Sequence, residues 1–356
     1  AVSHGVNPHA AAEIWRQIRS FAGYAFCKAH SASFARVSFQ VAYLKAHYPA
    51  EFMAAVLSNG GGFYGPSAYI EEARRMGLRI LGPDINRSDI CYKGSGRALR
   101  VGLGVVARVG RKSLEALLEA RRAGGFFTSL ADFSSRAQLP VTEMRALIRC
   151  GAFDCFELTR PELLWRLEIL CFHRSGRRKS PEHNSSPAAA SLDSPMFPSL
   201  ELSPGRQIVP RLPEYPRLTR LRLEQELLGF TVSEHPLNLY EQALAGKDLI
   251  SSREIPSHEG QRVRLAGRPI AGKRIETSGK GAMMFLSMDD PAGTFEVVMF
   301  PDCYRRCAAR ALGPGPFLVT GRVAGEYGAW NIVCEKLDEL GTSAAETACG
   351  RKERTA

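Results

Sequence analysis

Along the first third of the chain, apolar residues recur with a helical period. Ile14, Trp15 and Ile18 mark one face over 10–20, and Phe34, Val37, Val41 and Leu44 mark a stripe over 31–45. Pro49 suits the first turn of a third helix over 50–57, where a missing amide costs nothing. A helix over 67–76 stops at Gly77, the residue type that best tolerates a left-handed C-cap. A short apolar strand follows over 78–81, then a few short strands over 84–104, then helices with glycine-bearing hairpins over 102–156. Periodicity vanishes over 172–219, where Ser, Pro, Arg and Asn dominate, and the composition predicts a disordered linker. A helix resumes over 221–228. Five short strands are then expected at 263–269, 283–288, 294–300, 317–323 and 331–336, a pattern that predicts a small barrel. The fold class expected is α+β multidomain: a helical segment, a helix-hairpin-helix element and a five-stranded OB-type barrel.

Composition sharpens this picture. The 356 residues allow two to three domains, and 45% hydrophobic content is enough to build buried cores. Lys and Arg number 47 against 36 Asp and Glu, a formal charge of +11. A polyanionic partner fits that balance, with nucleic acid the commonest soluble one, although an arginine-rich genome would give the same numbers. No apolar run of membrane-spanning length occurs, and no charged-then-apolar leader opens the chain. The nine cysteines form no C-x-x-C pair, so reduced thiols are expected rather than a structural zinc site.

Candidate chemistry sits in a few constellations. Gly23-Tyr24-Ala25-Phe26-Cys27-Lys28-Ala29-His30-Ser31 sets a cation and an N-cap candidate, Ser31, at a helix start. Free amides and a lysine there would suit a phosphate, while an ordinary capped helix explains the same residues. In Val101-Gly102-Leu103-Gly104-Val105-Val106-Ala107-Arg108-Val109-Gly110-Arg111-Lys112-Ser113, neither the dinucleotide fingerprint nor the phosphate-loop spacing is met. The better reading is a helix-hairpin-helix, in which a tight hairpin ending at Gly110 opens a helix near Ser113. Its free amides, with Arg111 and Lys112, would hold a DNA phosphate. Leu147-Ile148-Arg149-Cys150-Gly151-Ala152-Phe153 repeats the idea, with Arg149 and Gly151 as the contact candidates. On the barrel, Arg262, Arg264, Arg268, Lys273 and Arg274 lie on the first strand and hairpin, with Phe285, Phe295, Phe300 and Phe317 on the strands. That is the composition of a single-strand-binding face, although alternation places most of those phenylalanines in the core. Asp193-Ser194-Pro195-Met196-Phe197, within the linker, is a recognition-peptide candidate. No clustered carboxylates for two-metal chemistry and no Ser-His-Asp order are found.

The order of these pieces resembles the bacterial DNA polymerase III alpha subunit, the C-family replicative polymerase. The resemblance is carried by Gly23–Phe34 and by Tyr43-Leu44-Lys45-Ala46-His47-Tyr48-Pro49-Ala50-Glu51-Phe52-Met53. It continues through Arg74-Arg75-Met76-Gly77-Leu78, Pro83-Asp84-Ile85-Asn86, the stretch 102–110 and the stretch 146–154. It then runs through Leu227-Leu228-Gly229-Phe230 with His235-Pro236-Leu237, and Phe285-Leu286-Ser287-Met288-Asp289-Asp290. It implies the end of the fingers over 1–100, a tandem helix-hairpin-helix over 101–171, the linker over 172–219 and connecting helices over 220–258. An OB-fold over 259–340 and a flexible tail over 341–356 complete the expected division. It also implies that Lys28, His30 and Ser31 meet the phosphates of a deoxynucleoside triphosphate. Gly110, Arg111, Lys112, Arg149, Gly151, Arg264, Arg268, Lys273 and Arg274 would meet primed-template or single-stranded template DNA. Asp193, Met196 and Phe197 stand where the family carries its sliding-clamp peptide, with Asp193 in place of the usual Gln. Cys27 departs from the polar residue common at its position.

The family's palm carboxylates, which hold two Mg²⁺, have no counterpart in the sequence, so this portion is expected to bind no metal and to be inactive alone. The resemblance implies a cytoplasmic bacterial protein that meets other polymerase subunits and no membrane. The competing expectations are a non-catalytic DNA-binding or clamp-tethering accessory protein and a degenerate, error-prone or inactive paralogue.

Overall fold

The computed structural model describes residues 7–22, 28–60, 62–177, 210–277, 281–326 and 328–341. The chain opens with α1 (Pro8–Ala22), α2 (Lys28–His47), α3 (Pro49–Ser58) and α4 (Pro66–Arg75). Pro49 stands at the start of α3 and marks the break after α2, because its ring cannot follow a helical residue without clash. Ser31, expected as an N-cap, instead lies inside α2, which begins at Lys28; nothing in Lys28-Ala29-His30 breaks a helix. α4 ends as expected before Gly77, whose φ is +76°.

A small sheet follows, of β1 (Arg79–Leu81), β2 (Lys93–Ser95) and β3 (Ala98–Arg100). β3 lies in the centre, parallel to β1 and antiparallel to β2. Gly94 lets this sheet press against α3: a Cβ there would stand 2.1 Å from the Ala50 carbonyl oxygen.

Five helices then build the next layer: α5 (Arg111–Gly124), α6 (Leu130–Ala137), α7 (Val141–Arg149), α8 (Arg160–Arg177) and α9 (Arg217–Leu228). The last turn of α8 and the first of α9 reach into the stretch expected to be linker; Asp193, Met196 and Phe197 lie outside the described residues. One hydrophobic core runs from Ala50 on α3 to Phe230 after α9. Phe127, Phe133, Phe153 and Phe156 meet edge to face in sequence at its centre, the geometry that aromatic quadrupoles favour. A short α10 (Glu241–Leu244) leads out of this module.

The last part is a closed five-stranded barrel of β4 (Arg262–Thr277), β5 (Gly281–Asp289), β6 (Thr294–Met299), β7 (Phe317–Glu326) and β8 (Ala329–Glu339). Its order is β4-β5-β6-β8-β7, with β7 returning to β4. The parallel pair is β6–β8. Between β6 and β7 runs α11 (Pro301–Ala311), absent from the strand pattern read above. It lays Cys303, Tyr304, Cys307 and Ala311 on the barrel core, so the i, i+4 cysteine spacing is a packing face. Strand order, helix position and the single parallel pair are those of an OB-type barrel. β4 is longer than the expected 263–269, because it bends at a register shift between Pro269 and Ala271 and continues to Thr277.

Candidate nucleic-acid interface

The first hairpin is built by Gly102 to Gly110. A 3-10 turn over Leu103–Val105 leads to Arg108, held at φ 66°, and to Gly110, which caps α5. Ala107 anchors the loop by donating its amide to the Leu227 carbonyl at 2.8 Å. The Arg108 side chain is tied to Glu226 at 2.7 Å. Gly110 donates to a Glu143 carboxylate oxygen at 3.3 Å. No side chain caps α5, and among the described residues no acceptor meets the amides of Arg111, Lys112 and Ser113. These donors lie at the positive end of a fourteen-residue helix. Arg111 and Lys112 are exposed beside them, with Arg111 paired to Glu115 at 2.9 Å across one helical turn. This is the arrangement that takes a phosphate oxygen: free amides, a helix dipole and two exposed cations.

The second hairpin differs. Gly151, at φ +88°, turns the chain after α7, and the amides of Cys150, Gly151, Ala152 and Asp154 all donate to carbonyls within 146–151. Arg160, only 5% exposed, lies against the turn. It pairs with Asp154 at 3.0 Å and donates to the Arg149 carbonyl at 3.1 Å. The start of α8 is also closed. Thr159 Oγ1 accepts from the Glu162 amide at 3.2 Å, and Glu162 accepts from the Thr159 amide at 3.1 Å. Glu214 accepts from the Arg160 amide at 3.1 Å. The amides of this turn and helix start therefore already have acceptors within the chain. Arg149 remains exposed at the end of α7, while Gly151 serves the turn. Burial pushes the Cys150 thiol up to about 12, so it stays protonated.

On the barrel, outward positions of β4, β5 and β6 line up in register. Lys273 stands opposite Phe285, Phe285 opposite Val298, and Ile275 opposite Met283. Lys273 and Ile275 are exposed, and Met283 and Phe285 are half-buried. They form a strip with one cation and an aromatic ring, suited to stacking a base. Phe295 and Phe317 point inward to the core instead. Sequence reading missed Ile275 and Met283; the signal was their alternation out of phase with inward Met284 and Leu286. Arg274 is exposed but paired with Glu276. Arg264, half-buried on the opposite half of β4, lies nine residues from Lys273, roughly 30 Å along an extended strand. Arg268 does not belong to an open surface. It forms a two-pronged pair with Asp289, which is fully buried, at 2.7 and 3.1 Å. Its side chain, expected at an open surface, is thus 16% exposed and engaged within the chain.

The third group lies on α2. Lys28 is its first residue, and the His30 ring meets Phe34 one turn on, with centroids 4.4 Å apart. His30 is exposed and Ser31 half-buried. Among the described residues no group of three or more His, Cys, Asp or Glu side chains is placed to hold a metal ion. None of the described helices is long and apolar enough to cross a membrane.

A hairpin with an open helix start and an OB-type barrel thus stand together on one chain. The helix-hairpin-helix motif family matches residues 77–163. Over nearly its whole length the chain is also similar to part of larger bacterial polymerases. It is 35% identical to the DNA polymerase III subunit alpha of Thermus aquaticus over 91% of this chain and 26% of that protein. It is 31% identical to an error-prone DNA polymerase of Symbiobacterium thermophilum, over 96% of this chain and 34% of the relative. It is 31% identical to the DNA polymerase III subunit alpha of Vibrio cholerae, over 98% and 30%. The chain thus spans about a third or less of the length of these relatives.

Proposed function

We propose that this chain is the DNA-gripping C-terminal portion of a bacterial C-family DNA polymerase subunit, replicative or error-prone. The observation that supports it best is the open N-terminus of α5, where three unpaired amides and two exposed cations meet behind a hairpin held by Leu227 and Glu143. This hairpin takes a phosphate of the primed duplex, while the strip of Lys273, Ile275, Met283 and Phe285 takes the single-stranded template. Phosphate contacts of this kind fix position and carry no sequence preference. The start of α2, with Lys28, His30 and Ser31, faces the triphosphate of an incoming nucleotide. The reaction served is attack of a primer 3′-hydroxyl on a deoxynucleoside triphosphate.

Divalent metal ions supply charge stabilisation in that reaction. Among the described residues no group of three or more His, Cys, Asp or Glu side chains is placed to hold them. The peptide at Asp193, Met196 and Phe197 would tether the subunit to a sliding clamp, and the whole would act in the bacterial cytoplasm beside other polymerase subunits.

The test is fluorescence anisotropy of the purified chain with primed-template, duplex and single-stranded DNA across a salt series. Binding should favour the primed junction and fall steeply with salt, because each neutralised phosphate releases counterions. Replacing Arg111 and Lys112 together with Ala should lower the slope of log K against log salt by about two. An unchanged slope in the double variant would remove the hairpin from the interface.

A further inference from the structure

Three of the stretches that carry the polymerase resemblance lie far apart in sequence and have no part in the interface above. Arg74-Arg75 is on α4, His235-Pro236 follows α9, and Asp289 ends β5. The fold brings all three to one place, the joint between the helical module and the barrel.

Two features of that joint stand out. First, the apolar packing does not bridge it: the helical core and the barrel core are separate clusters. A minor apolar contact of Ala266, Leu318 and Leu340 reaches Tyr240, Leu244 and Leu249. Beside it lies a cleft of about 310 Å³ lined by Gln225, Pro236, Leu237, Tyr240, Arg268 and Pro316. Second, polar contacts cross where the two main apolar cores do not. Arg268 of β4 holds Asp289 of β5 within the barrel and also donates to Ser67 Oγ on the first turn of α4. His235 Nε2 stands 3.8 Å from Asp289. His235 accepts the Leu237 amide at Nδ1, so its proton sits on Nε2, facing the Asp289 carboxylate.

The segment that carries His235 is itself clamped from both sides. Arg74 donates to the carbonyls of Thr231 and Val232 at 3.3 and 3.2 Å. Glu224 of α9 accepts the amides of Val232 and Ser233 at 2.7 and 3.0 Å. Three buried side-chain atoms without partners, Glu71 Oε1, Arg75 Nη1 and His235 Nε2, fall among these same residues. Each such group costs free energy, because burial removes its water without giving a partner in return. A buried carboxylate that loses its guanidinium is worse still, because its charge is left uncompensated.

We propose that the Arg268–Asp289 pair, locked to Ser67 and abutted by His235, is the pin that fixes the barrel's orientation relative to the hairpin module. Arg268 and Asp289 are positioning residues. Their bearing on DNA rests on the reading above, since the pin would align the barrel strip with the α5 hairpin. The pin itself can be tested without DNA.

The experiment is peptide-resolved hydrogen exchange with small-angle scattering on the full chain, comparing wild type, Arg268→Met and the double variant Arg268→Met/Asp289→Leu. The double variant removes both charges and leaves no orphaned carboxylate. Peptides covering 66–75 and 231–240 should exchange at least tenfold faster in both variants, while β5 and β6 keep wild-type protection, and the radius of gyration should rise. Unchanged exchange at 66–75 and 231–240 with unchanged scattering would overturn the pin, leaving the pair a local barrel contact. Loss of protection in β5 and β6 in both variants would overturn it too, making the pair part of the barrel's own stability.

Discussion

At the residue scale, the hairpins show how one side chain sets the use of a backbone. Gly151 turns the chain in the left-handed region, and a Cβ there would stand 2.4 Å from Arg160 Nη2 and 2.8 Å from Asp154 Oδ2. Both atoms belong to the ion pair that braces the turn, so the pair cannot move aside without breaking. Gly151→Ala is therefore expected to destabilise the helical module by about 2–3 kcal/mol, the left-handed cost plus displacement of a buried arginine. Chemical denaturation followed by far-UV circular dichroism checks this, and a loss below about 0.5 kcal/mol would contradict the brace. His235 makes a related point. Burial, with Arg268, Arg74 and Arg75 nearby, pulls its pKa down to about 3, so near pH 7 the ring sits beside Asp289 as a neutral group rather than a cation. In the sequence, Gly151 read as a DNA contact and Arg268 as a surface cation. Residue type and local spacing cannot say which partner a long guanidinium will find, because that partner comes from another element.

At the element scale, the two hairpins look alike in sequence and differ in their helix starts. Both have a glycine, a basic neighbour and a following helix. α5 begins with unpaired amides, whereas α8 begins with amides taken by Thr159 and Glu214. Glu214 comes from 54 residues further along, so no local pattern could announce it. The expected consequence is unequal weight in DNA binding. Arg149→Ala should weaken binding to duplex DNA less than twofold, while Lys112→Ala should weaken it several-fold at low salt. Equal losses in the same anisotropy assay would show that both hairpins grip. Helix and strand identity, in contrast, was largely legible. Pro49, Gly77 and the alternation of β5 and β6 place their elements within a few residues, because each acts on its own backbone. α11 escaped because its apolar face, Cys303, Tyr304, Cys307 and Ala311, is short and built from cysteine and alanine, which scarcely register as a stripe.

At the scale of the whole molecule, two cores are joined through a polar node and a cleft. Inter-domain contacts of this sort permit relative motion unless something holds them. The chain's basic charge and the open start of α5 support a grip, and the chain spans about a third or less of its polymerase relatives. The purified chain is accordingly expected to give no primer extension with Mg²⁺, a primed template and all four deoxynucleoside triphosphates. Extension above a no-protein control would sink the division of labour proposed for it.

By itself, the sequence determined the helical start, the hairpin tandem, the barrel and the polymerase resemblance. Periodicity, turn residues and motif order are properties of neighbouring positions, and they survive without knowledge of the fold. Only the tertiary structure decided that the second hairpin is closed and that Arg268 belongs to a joint. It alone decided that Arg74, His235 and Asp289 meet. Those outcomes depend on pairing across tens to hundreds of residues, where burial turns a solvated charge into one that must find an opposite charge or a hydrogen-bond partner.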